Sequence, residues 1–147
     1  MAGTTRLANE AWEALFRAQA TIAREFEAAD IWADLLPNEY GVLYALSTAP
    51  DGLRMKDLID DVLLTQAGVS RLVARMEQRG LVVRGDDPDD GRACRLRLSA
   101  DGAAIQRRIG AQHADHVARA MTRALSRTQL ETLRDLSTAL LEGSRQP

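Results

Sequence analysis

The stretch DLIDDVLLTQAGVSRLV, residues 57–73, decides the fold of this chain. Its apolar residues are spaced as in two short amphipathic helices joined by a turn, which is the helix-turn-helix pattern. The residues predicted to be buried between the two helices are Leu58, Val62, Leu64, Val69 and Leu72. Thr65 is a residue type that caps helix N-termini, so we expect the second helix to start directly after it.

The exposed positions at the start of this second helix suit contact with DNA. They are small or can form hydrogen bonds, and they comprise Gln66, Ala67, Gly68, Ser70 and Arg71. A major groove about 12 Å wide admits a helix whose N-terminal side chains reach base edges. We therefore predict base contacts from Gln66 and Arg71, with Thr65 beside them. Arg75 and Arg79 are expected to contact phosphate or to brace a neighbouring hairpin, and a solvated arginine face is the alternative.

Helical periodicity surrounds this central stretch on both sides. Apolar residues three and four positions apart predict a helix over residues 7–26. Pro37 suits the first turn of a second, short helix, which the turn residues at 49–52 should end. Towards the other end of the chain, Ser99 can cap a long helix, and a capping box at 126–129 predicts a last one.

A two-stranded hairpin is predicted after the basic helix, which Gly80 should end. Its first strand begins at Leu81, and in its second strand Cys94, Leu96 and Leu98 alternate with arginines as one buried face. The acidic loop between the strands has turn-forming residues, and its spacing does not fit a calcium loop. The predicted fold class is mainly α with a small β-hairpin wing, a winged helix-turn-helix with N- and C-terminal dimerisation helices.

One arginine of the acidic loop has a predicted role. We expect Asp90 to pair with Arg92 and to aim it into a narrow minor groove, whose negative potential attracts arginine. The other aspartates of the loop are interpreted as turn and solubility residues.

The composition is that of a globular protein. The chain has 147 residues, of which 46% are apolar and 27% charged, and its net charge is −2. The small net charge conceals a basic segment. Residues 65–84 contain four arginines and a single acidic residue, Glu77. No apolar stretch suits a signal peptide or a membrane span, so we expect a cytoplasmic protein without a membrane partner.

The chain resembles the MarR family of bacterial winged-helix transcription regulators over about residues 7–142. The matching segments are Asp57-Leu58, GVSRLV at 68–73, RMEQRGLVVR at 75–84, Asp90-Gly-Arg92 and LSADG at 98–102. The resemblance implies a homodimer that sets two recognition helices about one DNA turn apart on an inverted-repeat operator in double-stranded DNA. It also implies the minor-groove role of Arg92.

The domain organisation follows from this resemblance and from two apolar stripes. The stripe of the first helix and the leucines at 130, 133, 136 and 140 would stay uncovered on a winged helix alone. We therefore predict that residues 1–36 and 99–147 form a helical dimerisation region. Residues 37–98 form the winged helix-turn-helix within the same compact unit.

The main functional hypothesis is a dimeric, sequence-specific DNA-binding transcription regulator. The resemblance implies a repressor released by a small anionic aromatic ligand, and Trp12, Phe16, Tyr40 and Tyr44 are the candidate lining of a ligand site. Most of these side chains also suit a structural core. The alternative hypothesis is a winged helix used as a protein-interaction module, because the wing is acidic and the net charge is negative.

The sequence contains no set of residues that suits an enzyme, and it predicts no cofactor and no metal site. Two sensing alternatives remain open. His113 and His116 could act as metal ligands with Asp115, although two solvated histidines are the preferred interpretation. Cys94 lies between arginines and could sense oxidants, but strand alternation should point it inward.

Overall fold

The computed structural model describes residues 2–62 and 65–145 of the chain. Its helices are α1 (Ala2–Glu27), α2 (Pro37–Ser47), α3 (Met55–Asp61), α4 (Gln66–Gln78), α5 (Ala100–Thr122) and α6 (Arg127–Ser144). Two antiparallel strands, β1 (Val82–Asp87) and β2 (Asp90–Leu98), form a hairpin between α4 and α5. The predicted fold class, mainly α with a small β-hairpin wing, is confirmed.

The chain is organised in two compact units. One unit combines α1 with the chain from His113 onward, which contains the second part of α5 and all of α6. The other unit, Ala29–Gln112, contains the helix-turn-helix and the hairpin. No helix among residues 2–62 and 65–145 is long and apolar enough to cross a membrane.

Helix α4 begins and ends where the sequence predicts. The hydroxyl oxygen of Thr65 accepts a hydrogen bond from the backbone N–H of Gly68 at 3.1 Å, which satisfies one of the free donors of the first turn. Gly80 follows the helix with a φ of +73°, a left-handed conformation that glycine adopts without a steric penalty. The local signals that the sequence carries at both ends of α4 therefore act as predicted.

The helix-turn-helix core matches the predicted pattern. Leu58, Val62, Val69 and Leu72 are all buried, together with Val73 and Met76 on the same face of α4. The fifth predicted residue, Leu64, lies outside the described residues. Burying such side chains contributes about 1.5–3 kcal/mol each relative to leaving them exposed, so this face fixes α4 against its neighbours.

The hairpin is joined to the helices through a short bridge. The backbone N–H of Leu53 donates to the carbonyl oxygen of Leu96 at 3.0 Å, and the N–H of Leu96 donates to the carbonyl oxygen of Leu53 at 2.8 Å. Gly52 precedes this bridge with a φ of +85°, and a Cβ there would lie 2.8 Å from the Leu96 oxygen. Glycine is therefore required where the helical layer approaches β2.

Several element ends differ from the prediction. Helix α1 begins at Ala2 rather than Leu7, and an Arg6–Glu10 ion pair at 3.2 Å supports its added first turns. Strand β2 begins at Asp90, because the acidic segment of β1 pairs with it down to Asp87. The predicted caps of α5 and α6 are confirmed: Ser99 accepts from Gly102 N–H, and Ser126 forms the capping box with Gln129.

Candidate nucleic-acid interface

The first turn of α4 presents the residues that the sequence singled out. Gln66, Ala67 and Arg71 are exposed, whereas Gly68 and Ser70 are half-buried. Thr65 is exposed and caps the helix. Because the opposite face of α4 is buried, these residues form one accessible end of the helix with small side chains around a single long cation, Arg71.

A buried carboxylate lies behind the second and third turns of α4. Glu39 of α2 has only 4% of its side chain exposed, and its oxygen atoms lie 3.4 Å from Arg75 Nη2 and 3.2 Å from Arg79 Nη1. Its Oε2 atom also accepts a hydrogen bond from Leu36 N–H at 3.0 Å. The carboxylate therefore has the charged and polar partners that a buried ion requires.

This cluster changes the interpretation of the two arginines. Arg79 also pairs with Asp34 at 3.0 Å, so it braces α4 against α2 and the segment before it rather than the hairpin. Arg75 contacts Glu39 but keeps 53% of its side chain exposed. Glu39 was not among the predicted site residues. Its place in the first turn after Pro37 is a capping-box position, which is the one local signal of its role.

The hairpin contains a second buried carboxylate, Asp87, whose side chain is fully buried. Arg54 Nε donates to its Oδ2 atom at 2.5 Å, and Arg95 Nε lies 3.2 Å from Oδ1. The N–H of Asp89 donates to Oδ1 at 2.9 Å. This N–H and the Arg54 guanidinium lower the pKa of Asp87 to about 2, against the opposing effect of burial.

For Asp87, the predicted turn role is confirmed by the hydrogen bond from the Asp89 N–H, but the predicted solubility role is wrong because its side chain is buried in ion pairs. Its ion pairs join the turn end of the hairpin to Arg54, the residue that immediately precedes α3. Nothing in the local pattern around residues 84–91 indicated this, because Arg54 lies 33 positions away in the sequence.

The tip of the wing presents Arg92 to solvent. The carboxylate of Asp90 accepts a hydrogen bond from the backbone N–H of Arg92 at 3.0 Å, so it contacts the main chain of this residue rather than its guanidinium. Such a bond shapes a turn and fixes the direction in which the Arg92 side chain leaves the backbone. The structure thus shows no ion pair between the side chains of Asp90 and Arg92, and the predicted aiming role stays a prediction.

Known proteins with similar sequences and structures support one family. The model of the MarR family matches residues 33–93. The transcriptional regulator HosA of Escherichia coli O111:H- is 39% identical over 72 residues, which are 49% of this chain and 53% of that protein. The chain thus spans about half the length of the curated relatives it matches. The DNA-bound structure of Sco3205, a MarR family regulator from Streptomyces coelicolor, is 27% identical and has a TM-score of 0.79 over 94% of this chain and 88% of that one.

The chain is therefore similar to MarR family regulators, and the family model covers the part that contains the winged helix-turn-helix. The PcaV regulator of Streptomyces coelicolor, solved in complex with its natural ligand, is 25% identical with a TM-score of 0.63, over 95% of this chain and 92% of that one. The part matched by the MarR family model includes α2, α3, α4 and the hairpin as far as the residue after Arg92. Both buried carboxylates, Glu39 and Asp87, therefore lie within it.

The four aromatic residues considered for a ligand site form two pairs, Tyr40 with Tyr44 and Trp12 with Phe16. The ring of Tyr40 is buried, with its centroid 5.6 Å from that of Trp32 and 6.4 Å from that of Tyr44. Burial raises the pKa of Tyr40, and a hydrogen bond with Gln106 opposes this rise. Tyr44 is exposed. Trp12 and Phe16 on α1 are also exposed, with ring centroids 6.4 Å apart, and they belong to the other compact unit.

The candidate sensing residues are more enclosed than the sequence suggests. His113 is half-buried and meets the ring of Phe26 edge-on at 5.1 Å, so the expectation of two solvated histidines is wrong for it. Burial lowers the pKa of His113, and His116 lowers it further. Cys94 is half-buried, with its Sγ atom 3.7 Å from Arg84 Nη1. Across residues 2–62 and 65–145, no three side chains of His, Cys, Asp or Glu gather as metal ligands.

Proposed function

We propose that this protein is a sequence-specific DNA-binding transcription regulator. The observation that carries the proposal is the arrangement of α4, whose apolar face is buried while Gln66, Ala67 and Arg71 remain exposed at its N-terminal end. This is the end of a recognition helix that reaches base edges in the major groove. Gln66 and Arg71 contact bases, and the small or capping residues beside them, Thr65, Ala67, Gly68 and Ser70, allow close approach.

The wing contributes a second contact. Arg92 at the exposed tip enters the minor groove, while Asp90 contacts its main chain and Asp87 holds the turn end of the hairpin to Arg54. The structure of Sco3205 in complex with DNA, similar over nearly the whole chain, supports DNA binding by this fold.

The protein acts as a homodimer on an inverted repeat. Large apolar side chains are exposed along α1 and α6: Leu7, Trp12, Leu15, Phe16, Leu136, Leu140 and Leu141. Exposed apolar stripes of this kind mark interaction surfaces. Residues 1–36 and 99–147 would form the dimerisation region, leaving 37–98 to bind DNA. A two-fold dimer presents two recognition helices to two half-sites.

The regulator is a repressor released by a small anionic aromatic ligand. The exposed rings of Trp12 and Phe16 in one unit, and of Tyr44 beside the buried Tyr40 in the other, each offer a stacking surface, and the ligand-bound PcaV structure supports ligand control. Titration of the dimer on its operator with benzoate-type carboxylates should release the DNA. If none of them changes operator binding, this part of the proposal fails.

The deciding experiment measures binding to an inverted repeat, located by footprinting the protein's own promoter. Arg71→Ala should cost about 1–3 kcal/mol of binding free energy and relax base preference, as expected for a residue that contacts bases. Arg92→Ala should also weaken binding. Arg107→Ala, which removes an exposed arginine from α5, is the matched control and should bind like the parent.

The same measurement distinguishes a DNA-binding regulator from the alternative, a winged helix used as a protein-interaction module. Binding by a regulator saturates at selected genomic fragments and falls steeply with salt, because phosphate contacts release counterions. Unchanged binding by both Arg71→Ala and Arg92→Ala, or no selective binding by the parent, would contradict the proposal.

A further inference from the structure

A cleft lies beside α4, where this helix passes the start of α2. Its polar lining comprises Asn38 from α2 and Arg71, Arg75 and Gln78 from α4, and Gly68 forms its end nearest the first turn of α4. Positions 68, 71, 75 and 78 follow each other in steps of three and four residues, so they form one stripe along the helix. The four polar residues are all exposed.

The cleft is arranged to receive an anion. Each of its four polar side chains can donate hydrogen bonds, two of them carry a positive charge, and none of its described lining residues is acidic. The nearby carboxylate of Glu39 is buried, and Arg75, Arg79 and the Leu36 N–H surround it. Because Glu39 holds only one edge of the Arg75 guanidinium, at 3.4 Å, the exposed remainder can donate into the cleft.

The position of the stripe suggests which anion this is. When the N-terminal end of a helix enters the major groove, its flanks face the sugar-phosphate backbones, which accept hydrogen bonds from arginine, asparagine and glutamine. The stripe extends about 15 Å from Gly68 to Gln78, at about 1.5 Å per residue. It is therefore long enough to follow a backbone strand away from the bases.

We propose that this cleft binds a phosphate of the DNA backbone, with Asn38, Arg75 and Gln78 as donors. Glu39 is a positioning residue that keeps Arg75 beside α2, and Arg71 at the near end of the stripe is shared with base contact. The inference rests on the proposed function. It adds α2 to a DNA-binding surface that was predicted to comprise only α4 and the wing.

The test combines neutral phosphate analogues with variants of the full chain. Methylphosphonates, each removing one phosphate charge, are placed singly around an operator half-site, and binding is measured by fluorescence anisotropy at several salt concentrations. For the parent protein, a methylphosphonate at the phosphate bound in the cleft should weaken binding several-fold. Asn38→Ala and Arg75→Ala should bind the native operator more weakly and should lose sensitivity to that position.

Two further readouts identify the contact as phosphate. For Arg75→Ala, the slope of log K against log salt should become shallower by about 0.9, the value for one phosphate. Asn38→Ala and Gln78→Ala should weaken operator and unrelated duplex by the same factor, since phosphate contacts carry no sequence information. Gln112→Ala, which removes an exposed glutamine from α5, is the control and should match the parent.

Two results would overturn the inference while leaving the proposed function intact. In the first, the parent binds its operator in a salt-dependent way, but Asn38→Ala and Gln78→Ala bind native and substituted operators as the parent does. In the second, these variants alter base preference without the uniform loss. If the parent shows no selective operator binding, the proposed function and the inference fail together.

Discussion

At the scale of single residues, the hairpin depends on Asp87. Its side chain is fully buried with Arg54 and Arg95 at its two oxygen atoms, and its pKa is lowered to about 2. A carboxyl group with a lowered pKa stabilises the folded state fully above its ordinary pKa. That contribution is lost as pH falls through the folded value.

Asp87→Asn should therefore lower the melting temperature at pH 7 by several degrees, because both arginines lose their charged partner. The difference from the parent should narrow between about pH 4 and pH 2, where the parent's own carboxylate becomes protonated. Thermal melts followed by circular dichroism across this range measure it. Asp86→Asn, at the exposed neighbouring position, is the control. A difference that stays constant with pH would show that the charge of Asp87 is not responsible.

Asp90 offers a residue-scale test of how Arg92 is aimed. Its carboxylate accepts from the Arg92 N–H at 3.0 Å, a contact that an asparagine side-chain oxygen can replace. Asp90→Asn should accordingly bind the operator at least as tightly as the parent, whereas Asp90→Ala should bind several-fold more weakly. Operator titrations of both variants decide the point. Equal losses in both would instead indicate that the negative charge pairs with the guanidinium.

At the scale of elements, α2 and α4 are held together by a charged contact as well as by apolar packing. Glu39 of α2 binds Arg75 and Arg79 on successive turns of α4. The orientation of the recognition helix thus depends on a residue that lies outside the helix-turn-helix itself.

Glu39→Ala should destabilise the fold by about 1–3 kcal/mol, because it leaves the Leu36 N–H and Arg75 without their acceptor and Arg79 with Asp34 alone. The exposed fraction of Arg75 keeps the loss below the range for a fully buried pair. Glu39→Gln, which retains an acceptor for the Leu36 N–H, should lose less. Urea unfolding of the parent and both variants measures the difference. If alanine and glutamine cost the same, the hydrogen bond to Leu36 contributes nothing measurable.

The elements also show how far the sequence can predict this molecule. Helix α4 is fully indicated by local signals, since its cap, its apolar period and its terminal glycine all lie within the helix or next to it. Local signals do not indicate the two buried ion clusters, because Glu39 and Arg79 lie 40 positions apart in the sequence and Arg54 and Asp87 lie 33 positions apart. The local sequence around a charged residue does not indicate whether it will be buried in an ion pair with a residue far away in the chain. Thr65 and Arg71 of the candidate interface could therefore be predicted. The capping position of Glu39 could be read from the sequence, but its ion pairs with α4 could not.

At the scale of the whole molecule, a second copy of the chain is the proposed partner of the exposed apolar surface of α1 and α6. Leu136→Asp combined with Leu140→Asp places two charges on α6, at leucines that are each 61% exposed. The folded chain tolerates such exposed positions, but a dimer would have to bury both carboxylates without partners, which costs far more than the apolar contacts contribute.

The double variant should therefore be a folded monomer near the chain mass of 16.1 kDa, whereas the parent should have about twice that mass by light scattering after size exclusion. Val83→Asp, which charges an exposed valine of β1 outside the proposed dimerisation region, should remain dimeric. Because an inverted repeat binds two recognition helices at once, the monomer should lose most of its operator affinity while retaining weak binding to a half-site. A dimeric double variant with full operator binding would place the dimer interface elsewhere than on α6.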